Sequence, residues 1–152
     1  MTARLATHPI PLEVLESLEL LLFGAIGLTS VALTAAAASD LTIQQWRALV
    51  VIARADGIGV GDMAARVGTT LPSASRLVGR LERRGLVETA RDDADRRRTI
   101  VRTTPAGKSA FEEIVTRRRE LMHAALATNL SRLPPDLPGG LAALARALGR
   151  YE

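Results

Sequence analysis

Polar and apolar positions alternate with a clear helical period in the middle of this chain. Ala74, Leu77, Val78 and Leu81 stand three, one and three residues apart. That spacing places them on one face of a helix. Ser73, Arg76, Arg80 and Arg83 fall on another face, all polar or basic. Thr70 suits the N-cap, because its hydroxyl can accept from the free N–H groups of the first turn. Pro72 is tolerated in that turn, where no donor is needed. Gly85 suits the left-handed stop. Just before it, Asp62–Val67 reads as a shorter helix, capped weakly by Gly61, with small Ala64 permitting close approach. Gly68 allows the chain to turn between the two. Helix, short glycine turn, helix is a helix-turn-helix pattern.

Past Gly85 the period changes from helix to strand. Leu86 to Thr89 and Thr99 to Thr103 suit paired strands. Between them Arg91 to Arg98 is polar and suits a hairpin tip. Ile58 to Val60 can add a short edge strand.

Longer helices are expected on both sides. The first starts at Leu12 and runs to about Ala38. From Leu20 to Ala38 it holds no charge, so by length it could span a membrane. Gly24, Gly27, Thr29, Ser30, Thr34 and the alanines make it only mildly apolar, and no basic cluster flanks it. The reading adopted is a helix buried on most sides, partly by a second subunit. Thr42 and Gln45 form a capping box, followed by a stripe of Trp46, Leu49, Val50 and Ala53. Thr104 and Pro105 open another helix as N-cap and N1, with Phe111, Ile114, Val115, Leu121, Met122, Ala125 and Leu126 as its apolar face. Pro134, Pro135 and Pro138 break the chain before a last helix marked by Leu141, Leu144, Ala145 and Leu148. The expected fold class is mainly α with a small β-hairpin wing. The chain divides into an arm and first helix over 1–40, the winged region over 41–104, and closing helices over 105–152, the outer two expected to meet a second subunit. Together they form one structural domain, as 152 residues suggest.

Charge sharpens the picture. The net +4 is concentrated in residues 60–104, while the amino-terminal part is acidic. A basic patch on the helix-turn-helix is the electrostatic footprint of a nucleic-acid binder. A solvated charged face is the competing reading of the same arginines. The chain has no cysteine, so thiolate metal sites and thiol redox sensing are excluded. Its two histidines lack partners at ligand spacing, and no catalytic set is visible, so neither a metal, a cofactor nor an enzyme is expected. Met1 to Pro11 lacks the layout of a secretory signal, which points to the cytoplasm.

Residues 41–108 resemble the MarR family of winged-helix transcriptional regulators. The resemblance rests on LTIQQWRAL, then DMAARVGTTLPSASRLVGRLERRGLV, then RDDADRRRTIVRTTPAGK, in that order. It implies that Asp95 orients Arg97 into a minor groove. It also implies a homodimer on a pseudo-palindromic operator, and a small effector, phenolic or aromatic, held between the dimer region and the winged helix. The candidate DNA contacts are Thr70, Pro72, Ser73, Ser75, Arg76 and Arg80 on the second helix, and Arg91, Asp95, Arg96, Arg97 and Arg98 on the wing. His8, Trp46 and Arg47 are the candidate ligand-pocket residues, with Trp46 also suited to the core. The expected function is a sequence-specific, ligand-released repressor of transcription. A winged helix that docks another protein, or a membrane-tethered regulator, are the alternatives.

Overall fold

The computed structural model describes residues 10–36, 41–92, 95–96, 98–127 and 134–148. The elements run α1 (Leu12–Ala35), α2 (Ile43–Ala53), β1 (Ile58–Gly59), α3 (Val60–Val67), α4 (Leu71–Arg83), β2 (Val87–Arg91), β3 (Thr99–Thr103), α5 (Pro105–Leu126) and α6 (Leu137–Leu148). The fold is mainly helical, with one small antiparallel sheet of order β1-β3-β2. The hairpin register pairs Val87 with Thr103 and Arg91 with Thr99. The edge strand sets Ile58 opposite Val101.

The core lies where α2, α3, α4, α5 and the sheet meet. Leu49, Ile52, Met63, Leu81, Val87, Val101 and Ile114 are its largest fully buried side chains. Ala74, Leu77, Val78 and Leu81 all face it, as their spacing required. Ala64 is buried where α3 meets its neighbours. Val50 and Ala53 of the α2 stripe are only half-buried, and Ala48 and Ile52 complete that face. Both cap bonds of the Thr42–Gln45 box form.

Two glycine turns bracket α4. Gly68 closes α3 at φ +70°, with its own N–H reaching the Ala65 carbonyl and the Thr69 N–H the Ala64 carbonyl. Gly85 closes α4 at φ +68°, and the Leu86 N–H returns to Leu81. These paired bonds satisfy carbonyls that a helix end otherwise leaves open.

Several boundaries differ from expectation. Helix α1 ends at Ala35 with Ala36 as its cap, a little before Ala38, and residues 37–40 lie outside the described set. Helix α3 starts at Val60 behind Gly59, not at Asp62 behind Gly61, so the edge strand is only Ile58–Gly59. Pro138 lies inside the first turn of α6, where its missing donor costs nothing; it helps start that helix and does not break the chain. Within the single chain α1 buries only Ala32 and Leu33 of its helical residues. Leu20 and Phe23 are 73% and 72% exposed. The burial expected along most of α1 is therefore not supplied by its own subunit.

Candidate nucleic-acid interface

Helix α4 presents its polar face to solvent because its apolar face is committed to the core. Thr70, Pro72, Ser75, Arg76 and Arg80 are exposed and Ser73 is half-buried. Thr70 holds the N-cap position in extended backbone, but its side chain makes no cap bond. Its hydroxyl instead donates to Ser73 Oγ at 3.1 Å, and Arg76 Nη2 donates to the same oxygen at 3.0 Å. Thr70, Ser73 and Arg76 thus form a short polar chain along the exposed face. Leu71 is 55% exposed beside them. It was not singled out from the sequence, since a leucine at the start of a helix is more often inward. An exposed aliphatic group there suits a thymine methyl.

The wing is braced from inside. The Asp92 N–H donates to the Arg98 carbonyl at 3.0 Å and the Arg98 N–H to the Asp95 carbonyl at 2.8 Å. Arg91 Nη1 donates to the Arg96 carbonyl at 3.0 Å. Arg98 Nη2 pairs with Asp62 Oδ2 of α3 at 2.7 Å, with both side chains more than half exposed. So Arg91 and Arg98, both expected at DNA, are engaged within the protein. Asp95 and Arg96 stand exposed at the tip. Arg97 lies outside the described residues, and with it the expected Asp95–Arg97 pair. Thr89 at the outer strand donates to Glu82 Oε1 of α4 at 2.7 Å. The wing is therefore tied to both helices of the helix-turn-helix.

Among the described residues, hollows border these elements, and another lies between α1 and α5. One of about 770 Å³ lies between the start of α3, α4 and the wing base, lined among others by Gly59, Asp62, Ser75, Gly79 and Arg98. A polar one of about 300 Å³ is bordered by Arg47, Gly68, Thr69, Ser73, Arg76 and Arg80. An apolar one of about 460 Å³ runs between α1 and α5 through Leu20, Gly24, Leu28, Arg118 and Met122. The expected ligand residues do not gather in any of them. Trp46 is 4% exposed and stacks on Phe111 with ring centroids 5.6 Å apart, so its ring is core. Arg47, the next residue on α2, lies on the polar side beside Arg76 and Arg80. His8 is outside the described residues.

One residue behind the site was not recognisable from the sequence. Gly107, at the start of α5, lies against the carbonyl of Leu86, and a Cβ there would stand 1.9 Å from that oxygen. The Leu86 carbonyl already accepts from the Thr104 N–H. The Thr104 hydroxyl in turn accepts from the Gly107 N–H at 3.0 Å and donates to the Gly85 carbonyl. This cluster locks the exit of α4 to the start of α5. It gives a physical reason for the TPAG run within the quoted motif.

Comparison with known proteins agrees with this geometry. A sequence model described as the MarR family matches residues 39–98. The HTH-type transcriptional regulator FarR of Neisseria gonorrhoeae is 30% identical over 113 residues, covering 72% of this chain and 77% of that protein. Other curated regulators match over shorter stretches, and the chain spans about half of their length. Among solved structures, FabT of Streptococcus pneumoniae in complex with DNA superposes with a TM-score of 0.71 at 19% identity, over 92% of this chain and 98% of that one. NadR in complex with 4-hydroxyphenylacetate does so at 0.66 and 24% identity, over the full length of both. The winged helix built on α3, α4 and the hairpin, and a relative matched over three quarters of its length, place this chain in the MarR family of winged-helix transcriptional regulators.

Proposed function

We propose that the chain binds double-stranded DNA sequence-specifically as a homodimer and represses transcription until a small phenolic or aromatic molecule releases it. The observation that carries this is the exposed Ser/Arg face of α4, held outward by a fully buried apolar face. Arg can read guanine edges and Ser can adapt to either base. Ser73, Ser75, Arg76 and Arg80 therefore enter a major groove, with Thr70, Pro72 and Leu71 at the entry. The hairpin tip, with Asp95, Arg96 and Arg97, follows the adjacent minor groove, whose negative potential attracts arginine. Arg91 and Arg98 serve as braces of the wing.

Two subunits would read two half-sites of a pseudo-palindrome. The uncovered apolar length of α1 supports that assembly, as do the exposed Leu141 and Leu144 of α6. The bound states of FabT and NadR support DNA and a phenol-like acid as partners, and a DNA partner supports a cytoplasmic location. No residue for catalysis is assigned, and the family's relatives are regulators.

The test is selection of bound duplexes from a random pool, followed by titration of the preferred duplex with and without 4-hydroxyphenylacetate. Arg76→Ala should cost about 1–3 kcal/mol on the preferred duplex and relax its sequence preference. Native-strength binding by the folded variant would remove α4 from the groove. A wild-type protein that enriches no duplex would leave protein docking as the better reading.

A further inference from the structure

The polar hollow beside α4 gathers three guanidinium groups from two helices. Arg47 comes from α2, and Arg76 and Arg80 from successive turns of α4. The left-handed turn Gly68–Thr69 closes the third side. Among the described residues no carboxylate lines the hollow, and neither Arg47 nor Arg80 has an ion pair. Arg76 spends one Nη on a neutral hydroxyl, that of Ser73. Three like charges around about 300 Å³ repel one another unless an anion lies between them. Nothing in the fold requires Arg47 to be there. It is exposed on α2, opposite the buried positions of that helix.

We propose that Arg47 is a phosphate contact, which joins Arg76 and Arg80 to hold a backbone phosphate of the same duplex that α4 reads. This rests on the DNA-binding reading above and moves Arg47 from the effector site to the DNA. The division of labour follows from chemistry. Contacts to phosphate fix the protein on the duplex without reading sequence, while contacts to base edges carry the sequence information. Arg76 and Arg80 lie on the reading face and can do both. Arg47 approaches from outside the groove, so it contributes charge and position alone. A free phosphorylated small molecule would satisfy the same three guanidinium groups. The position of the hollow on the reading face favours the duplex.

The experiment compares wild type, Arg47→Ala and Arg47→Lys on the preferred duplex and on an unrelated one, across a salt series. Each neutralised phosphate adds about 0.9 to the slope of log affinity against log salt. Arg47→Ala should therefore lower that slope by about one and weaken both duplexes by the same factor, leaving sequence preference intact. Arg47→Lys should restore most of the slope, because a lysine keeps the point charge. Thermal melting should be unchanged, since the side chain is exposed. Wild-type slope and affinity in Arg47→Ala would overturn the proposal while leaving DNA binding by α4 in place. So would a loss confined to the preferred duplex. Saturable binding of inorganic phosphate at constant ionic strength that requires Arg47 yet leaves duplex affinity unchanged would overturn it in favour of a free anion. Absence of salt-dependent binding by the wild type would sink the DNA reading and this assignment together.

Discussion

A methyl group at position 107 has nowhere to go. The nearest obstacle to it is a backbone carbonyl, that of Leu86, which is fixed by the end of α4 on one side and by β2 on the other. A flexible side chain could step aside, but this carbonyl cannot without breaking its bond from the Thr104 N–H. Gly107→Ala should therefore destabilise the fold as overpacking does, by about 1–3 kcal/mol. A lowered urea midpoint with an unchanged slope would show it. Stability equal to wild type would mean that α5 can back away from α4. Gly68, by contrast, has open space around it and owes its identity to a φ of +70° alone. That second kind of glycine was legible in the sequence, because a turn between two helices demands it. The first kind was not, because the residues that crowd Gly107 are about twenty positions away.

Helix ends show the same division. Thr42, Thr70 and Thr104 all stand at N-caps, and residue type alone gives each of them the same expectation. Thr42 and Thr104 accept from a backbone N–H of the first turn, whereas Thr70 turns to the Ser73 hydroxyl. Thr104→Ala should cost about 1–2 kcal/mol, since it loses a cap and the bond to Gly85 together. Thr70→Ala should stay within about 0.5 kcal/mol, as surface changes do, and should act on DNA affinity instead. Equal losses in a pair of urea titrations would contradict this reading. The helices and the two strands of the hairpin were open to the sequence because each follows from the local pattern of apolar and polar positions. The Asp62–Arg98 pair and the gathering of Arg47 with Arg76 and Arg80 link residues about thirty positions apart, and only the fold brings them together. Trp46 could have been core or ligand wall until its stacking partner, Phe111 of α5, was placed.

Assembly is where the single chain is least self-sufficient. Helix α1 leaves Leu20, Leu22 and Phe23 more than half exposed, and Leu141 and Leu144 of α6 also face outward. Apolar exposure of this extent marks an interaction surface. A twofold dimer is the proposed cover, and it should appear in sedimentation as a species of twice the chain mass without detergent. Phe23→Asp should shift that species to monomer and weaken operator binding, while the winged helix keeps its fold, because Phe23 touches little within its own subunit. A wild type that stays monomeric at micromolar concentration would refute the dimer. Partition into lipid vesicles would instead identify α1 as a tether, for which it has the length and composition.

The lock between Thr104, Gly107 and the exit of α4 makes α5 a lever arm. Its near end is bolted to α4, and its far end, about 33 Å away for 22 residues, lies alongside α1. A tilt imposed at the far end cannot be absorbed at the near one, where a single methyl group would not fit. A displacement imposed at the far end should therefore be felt at α4. In a protein with few aromatic groups and no thiol chemistry, a signal can travel from one end to the other by stiffness alone.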